Sequence, residues 1–342
     1  MQRMLFRLLV LAPTAAALPL PGSSRGGAAP RFDAPPAQDT SLLAAIRERA
    51  AATGGVVGVH LRHVESGRAT GVNEGEPFFM SSVTKVPISV RILRQVQRGR
   101  LRLADSVRIT REQMAPGHSP IRDANPAGVT LALEQLLRAA VRQSDNSASD
   151  ALLRLAGGPD SVNAELARLG IRGIRVSRPY QVLGREMGDR AEAADTRDTS
   201  TPAAMTGLLA ALHAGRLLGP AETRLLLGWM THTENPPNRI VAGLPAGTGV
   251  AHKTGTWGQA AMNDVGIITL PGGRGHLAFA VFIRNATVPD SVSERAIAAI
   301  TRAVWEQAAG RGAGTAAAID RSTPAARTRV YAVRRRVGPA SR

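Results

Sequence analysis

The chain has 342 residues, no cysteine, 44% hydrophobic content with 3% aromatic, and a formal charge of +17. That length supports one large core or two subdomains, and the missing thiols exclude a disulfide framework, a lipid-bearing cysteine anchor and a thiolate metal site. The charge does not signal nucleic acid: residues 311–342 hold eight Arg against one Asp, and no basic patch interleaved with base-stacking aromatics exists.

Residues 1–20 read as an export signal, with Met1-Gln2-Arg3 as a short positive start and an apolar Leu8-to-Leu20 run too short to span a bilayer. Residues 21–39 are Gly/Pro/Ala-rich and read as a linker. No other stretch reaches the ~20 apolar residues of a membrane helix, so the mature protein is expected to be secreted or periplasmic, without stable membrane insertion. Residues 311–342, with Arg334-Arg335-Arg336, read as a basic disordered tail.

Between them, residues 40–310 alternate in period. Thr40 or Ser41 caps a helix to about Ala52, and Gly54-Gly55 breaks it. Val56 to His63 alternates as a strand, paired with Arg68 to Val72. Phe78-Phe79-Met80 is an apolar approach to a helix over Ser82–Arg98, in which Pro87 is awkward. Residues 129–143 read as an amphipathic helix, and Ala148 to Leu155 opens the next. Pro202–Leu217 and Ala221–Met230 are helical. Gly249–Trp257, Val265–Leu270 and His276–Arg284 read as antiparallel strands, with a Pro271-Gly272-Gly273 turn between the last two. Ser291–Ala309 is a closing helix. The expected fold is α+β: an antiparallel sheet of about five strands flanked by N- and C-terminal helices, with a helical subdomain in the middle.

Only two of the 43 basic residues are lysines, and each sits in a short motif. Lys85 belongs to Ser82-Val83-Thr84-Lys85 and Lys253 to Lys253-Thr254-Gly255. Lysine loses its proton when desolvated and then serves as a base, whereas arginine stays protonated. Ser144-Asp145-Asn146 lies between the two. A serine at a helix start faces free backbone N–H groups and the positive end of the dipole. A lysine three residues on shares its face, so Ser82 reads as a nucleophile and Lys85 as the group that takes its proton.

Ser-x-x-Lys, Ser-Asp-Asn and Lys-Thr-Gly in this order are the signature set of class A β-lactamases and penicillin-binding proteins. From about Thr40 to Gly310 the chain resembles a class A serine β-lactamase. The resemblance implies a small-molecule β-lactam substrate and serine chemistry without metal or cofactor; a monomer is the default expectation. It implies that Ser144 relays a proton to the departing lactam nitrogen, Asn146 binds the substrate amide, and Asp145 ties down its loop. Lys253 and Thr254 would meet the substrate carboxylate. The backbone N–H groups of Thr256 and Ser82 would form an oxyanion hole. Arg239, 14 residues before Lys253, would support the carboxylate, and His118 of Gly117-His118-Ser119-Pro120 would line the cleft entrance. Asn263-Asp264 and Asp198-Thr199-Ser200-Thr201-Pro202 match further family segments.

One segment departs from the family. Class A enzymes deacylate with a glutamate in an omega loop of pattern Arg-x-Glu-x-x-x-Asn that ends at Asp-Thr-x-x-Pro. Here the loop contains Arg178-Pro179-Tyr180-Gln181-Val182-Leu183-Gly184-Arg185-Glu186. Glu186 is the best-placed glutamate, 12 residues before Asp198, and Arg190 falls where the asparagine belongs. Either Arg178 or Arg185 would clamp the loop onto Asp198. Acylation and deacylation are separate steps, so this loop divides three readings: a β-lactamase turning over through a Ser82 ester, a D-alanyl-D-alanine peptidase or esterase of the same fold, and a penicillin-acylated binding or sensing protein.

Overall fold

A computed structural model describes residues 40–186 and 195–310. The leader, the linker and the basic tail expected from the sequence lie outside the described residues.

The described chain opens with α1 (Thr40–Ala51), the hairpin β1 (Val56–His63) and β2 (Ala69–Val72), and the short β3 (Phe78–Phe79). A 3-10 turn over Ser81–Thr84 leads into α2 (Lys85–Gln97). Then follow β4 (Ser106–Thr110), α3 (Pro120–Ala124), β5 (Gly128–Ala132), α4 (Leu133–Arg142), α5 (Asn146–Leu155), α6 (Gly158–Arg168) and β6 (Ile174–Arg175). The omega segment holds α7 (Tyr180–Glu186) and β7 (Thr199–Ser200). The chain closes with α8 (Pro202–His213), α9 (Pro220–Thr231), β8 (Val250–Trp257), β9 (Ala261–Thr269), β10 (His276–Arg284) and α10 (Asp290–Ala309).

Five strands form one antiparallel sheet in the order β2-β1-β10-β9-β8. Both ends of the described chain thus meet in one sheet, as the pattern predicts. Successive side chains of a strand point to opposite faces, and β10 uses both. Leu277, Phe279, Val281 and Ile283 pack with Leu42, Leu43 and Ile46 of α1 and Ile297, Ile300 and Val304 of α10. Ala278, Ala280 and Phe282 pack on the other face with Met205, Leu208 and Leu209 of α8. Burial on both sides explains why β10 is an almost unbroken apolar run. The second core continues into the helical subdomain through Val86, Leu93, Leu136, Leu137 and Leu152.

Four boundaries differ from the sequence reading. The helix expected over Ser82–Arg98 opens as the 3-10 turn Ser81–Thr84 and becomes α-helical only at Lys85. Residues 128–132 are strand, not the start of the 129–143 helix: β5 pairs with β4 in a separate two-stranded sheet. Val129 and Leu133 continue the helical face of Leu136, Leu137 and Ala140, while Val129, Leu131 and Leu133 also alternate with a period of two, and long-range pairing of Leu131 with Val107 and Val129 with Ile109 decides. The helix beginning at Pro202 stops at His213 rather than Leu217, just before Gly215 at φ 68°. The strand expected at Val265 starts four residues earlier, at Ala261. Pro87 does not bend α2: it is the helix's third residue, in the turn where backbone N–H groups have no intrahelical partner.

Candidate active site

The site lies where the 3-10 turn carrying Ser82 meets edge strand β8 and the start of α5. Two tight approaches fix it. An added Cβ on Gly255 would stand 2.5 Å from the Met80 carbonyl oxygen and 3.3 Å from the Ser82 nitrogen, so only glycine lets β8 come this close. Ser81, directly before the nucleophile, adopts φ 49°, and Ser144 adopts φ 60°. Left-handed backbone at a non-glycine residue costs energy and is held by its surroundings. Here Ser81 Oγ donates to the Thr256 carbonyl (2.8 Å) and Asn263 Nδ2 donates to the carbonyls of Phe79 (2.9 Å) and Met80 (3.1 Å).

Lys85 is the hub. Its buried Nζ lies 2.9 Å from Ser82 Oγ, 2.8 Å from the Ser144 carbonyl, 2.8 Å from Asn146 Oδ1 and 3.3 Å from Ser144 Oγ. Two of these partners are carbonyl oxygens, which can only accept. A neutral amine gives them its two N–H bonds and keeps its lone pair for the Ser82 hydroxyl. Burial, reinforced by the nearby Lys253 charge, holds the Lys85 amine well below the usual lysine range, against the opposing pull of Asp145 and Asp150.

Lys253, also fully buried, donates to Ser144 Oγ (3.0 Å) and to the Thr254 carbonyl (2.9 Å). Burial lowers its pKa to about 7; Asp264 opposes the shift and Arg239 adds to it. Ser144 Oγ therefore sits between two amines. Asn146 Nδ2 donates to the Pro116 carbonyl (3.0 Å), leaving one N–H for a ligand. Asp145 ties its loop together, accepting from Ser119 Oγ, Ile121 N (2.8 Å) and Ala148 N (2.8 Å) and so capping α5.

Thr254 is nearly buried and Thr256 is exposed on the outer end of β8. Arg239 is buried, and its Nη2 donates to Thr256 Oγ1 (2.7 Å) while Nη1 donates to the Asn263 carbonyl (2.8 Å). Its guanidinium thus braces the end of β8. His118 is exposed; its Nε2 pairs with the Gln143 carbonyl (2.8 Å) and its own carbonyl accepts from Asn146 N (3.0 Å).

The omega segment sets Glu186 beside Arg178 and Arg197. Arg178, not Arg185, is the clamp: Arg178 Nε donates to Asp198 Oδ2 (2.7 Å) with both side chains buried. Glu186 ends α7 with its carboxylate 2.9 Å from Arg197 Nη1 and 3.5 Å from Arg178 Nη1, and its side chain is 43% exposed. These arginine contacts place it in the clamp cluster, and no hydrogen bond to Ser82 or Lys85 is found for it among the described residues. With Arg178 as the clamp, the position two residues on is Tyr180, which the sequence reading passed over. Tyr180 is buried, its ring centroid 4.2 Å from Lys85 Nζ. Its hydroxyl bonds with Thr84 Oγ1 (2.9 Å) and donates to the Ser81 carbonyl (3.1 Å). Asp150, likewise missed, accepts from Tyr180 N (2.6 Å) and Gln181 N (2.9 Å) and anchors the start of α7.

A serine hydroxyl against a buried amine whose pKa is lowered, a second hydroxyl between two amines, and a strand edge ending in hydroxyls define a serine acyl-transfer enzyme. Residues 41–308 match the model of the "Beta-lactamase enzyme family". The chain is 31% identical over 277 residues to β-lactamase VEB-1 of Pseudomonas aeruginosa, covering 79% of this chain and 91% of that one. Among solved structures, a β-lactamase of Chitinophaga pinensis superposes with a TM-score of 0.72 at 36% identity, covering 77% of this chain and 97% of that one. One from Xanthomonas campestris gives 0.74 at 31%, covering 78% and 97%. The chain belongs to the β-lactamase enzyme family and is of its class A serine type. Membership carries hydrolysis of β-lactams, and the comparisons give the peptidase and sensing readings no support over it.

Proposed function

We propose that the chain opens β-lactams through an ester on Ser82, with its residues in the following roles. Lys85 takes the Ser82 proton as Oγ attacks the lactam carbonyl. The backbone N–H groups of Ser82 and Thr256 receive the oxyanion. As the C–N bond breaks, Ser144 gives its proton to the lactam nitrogen and is reprotonated by Lys85, which returns neutral, so the net result is one proton moved from Ser82 to nitrogen. Protonated Lys253, with Thr254 and Thr256, holds the substrate carboxylate, and Arg239 acts by orienting Thr256. Asn146 offers its free N–H to the substrate amide, and His118 borders the cleft above it.

The observation that carries this reading is the unbroken line of hydrogen bonds Ser82 Oγ–Lys85 Nζ–Ser144 Oγ–Lys253 Nζ, at 2.9, 3.3 and 3.0 Å. Its test is hydrolysis of a chromogenic cephalosporin by the full chain beside Ser82→Ala. The wild type is expected to turn over and the variant to lose the activity; retained hydrolysis in Ser82→Ala refutes the assignment.

Among the described residues no helix is long and apolar enough to cross a membrane. We place the mature protein outside the cytoplasm, secreted or periplasmic, as a monomer, with residues 1–20 as its leader, 21–39 as a linker and 311–342 as a basic tail. The leader, linker, tail and location rest on the sequence pattern, and the monomer is the default.

A further inference from the structure

Among the described residues, four carboxylates are candidates to activate the water that must hydrolyse the Ser82 ester, and each is committed elsewhere. Both oxygens of Asp150 accept backbone N–H bonds from the start of α7. Asp145 is spent on Ser119, Ile121 and Ala148. Asp198 is bound to Arg178 and to the backbone N–H groups of Ser177 and Arg178. Glu186 lies among arginines.

What stands against the hub instead is an aromatic ring. The Arg178–Asp198 clamp and the Asp150 anchor seize the chain on either side of Pro179 and deliver Tyr180 onto Lys85. By the family pattern, the residue two after the clamp arginine is the deacylating glutamate; here that place is filled by a phenol. Burial pushes the phenol pKa up, beyond what the hydrogen bonds from Thr84 and Ser82 offset, so it stays protonated and offers no base.

We infer that Lys85 is the base in both halves of the reaction and that Tyr180, by taking the place of a carboxylate, makes hydrolysis of the Ser82 ester the slow step. The inference rests on the proposed serine mechanism. In the second half, water adds to the ester carbonyl and gives a proton to Lys85 Nζ. The C–Oγ bond then breaks and Oγ takes that proton back. The product leaves as a carboxylate, its acid proton passing to solvent. A positioned general base contributes roughly 10²–10⁴-fold. One amine, already turned toward Oγ and without a dedicated water-holding partner, supplies less of this than a second base would. Tyr180 acts here as a positioning residue: its ring fills the space and supports the Lys85 amine.

The test follows intact mass of the full chain during turnover of excess benzylpenicillin, across pH 5 to 8, for the wild type and Tyr180→Glu. The wild type should be mostly acylated while substrate lasts. Its ester should decay only in the form in which Lys85 has shed its proton, with Lys253, Asp145, Asp150 and Tyr180 as the titratable groups around it. Tyr180→Glu should hydrolyse the ester at least tenfold faster. Rapid wild-type turnover without a visible adduct overturns the inference but not the serine mechanism. So does a folded Tyr180→Glu that is no faster. If thermal melting shows Tyr180→Glu unfolded, the lifetime of the wild-type adduct decides alone. Neither adduct nor hydrolysis refutes the serine mechanism and the inference with it.

Discussion

Arg178 Nε donates to Asp198 Oδ2 at 2.7 Å across 20 residues of chain, with both groups buried. Asp198 Oδ1 also receives Ser177 N (2.7 Å) and Arg178 N (3.0 Å). This pair closes the omega segment and fixes which residue faces Lys85. Removing one partner of a buried ion pair leaves the other charge uncompensated, at about 3–5 kcal/mol. Arg178→Ala is therefore expected to lose that much stability by denaturant unfolding, with the rate of Ser82 acylation falling as Tyr180 leaves Lys85.

In the proposed mechanism Lys253 governs the alkaline side of substrate recognition. Burial places its pKa near 7 in the free enzyme, so its cation is present below that value and lost above it. KM for a carboxylate-bearing β-lactam should rise as pH climbs past 7, while an ester analogue lacking the carboxylate should show a flat KM. A KM for the carboxylated substrate that does not change between pH 6 and 9 would contradict the role.

The same depressed pKa has a stability consequence. The unfolded chain keeps its lysine protonated to an ordinary value near 10.4, while folded Lys253 releases its proton near 7. Between these values the unfolded state binds more protons, so this group's contribution to stability improves as pH rises from 7 toward 10. The buried cation is at its full cost below pH 7. Lys253→Met should flatten this part of the stability–pH curve; an unchanged curve would contradict it.

Gly255 is required by packing. Its added Cβ would meet the Met80 carbonyl at 2.5 Å, and overpacking of this kind costs about 1–3 kcal/mol. Gly255→Ala should be less stable by that range. Its kcat/KM should fall further than its stability, because the contact sets the gap between Thr256 and Ser82. Melting and steady-state kinetics check the two separately.

Away from the site, Glu165 is 1% exposed and meets Arg91, Arg94, Arg98 and Arg168 at 3.1, 2.6, 2.9 and 2.9 Å. Burial pushes its pKa up, but the bonds from Arg98 and Arg94 outweigh this and leave it lowered. Glu165→Gln should cost about 3–5 kcal/mol and leave the pH profile of kcat untouched.

Ser82, Lys85, Ser144 and Lys253 were legible because short motifs place chemistry that neighbouring residues make: one turn of backbone brings Lys85 to Ser82. The five-stranded sheet was legible for a similar reason, since β10 and β1 carry their burial pattern in their own residues. Tyr180 was hidden because the choice between Arg178 and Arg185 as clamp is made by a pairing 20 residues away. With that pairing unknown, the glutamate nearest the expected spacing attracted the assignment. The β4–β5 hairpin was missed because residues 129–133 fit two periods, and only the partner strand breaks the tie.

The most direct test of the serine mechanism is proteolytic mapping of the adduct formed by the full chain with benzylpenicillin, alongside Lys85→Ala. One penicilloyl group on the peptide containing Ser82, formed about 10²–10⁴-fold more slowly in Lys85→Ala, is the expected result. An adduct on any other residue, or an acylation rate unchanged in Lys85→Ala, would contradict it.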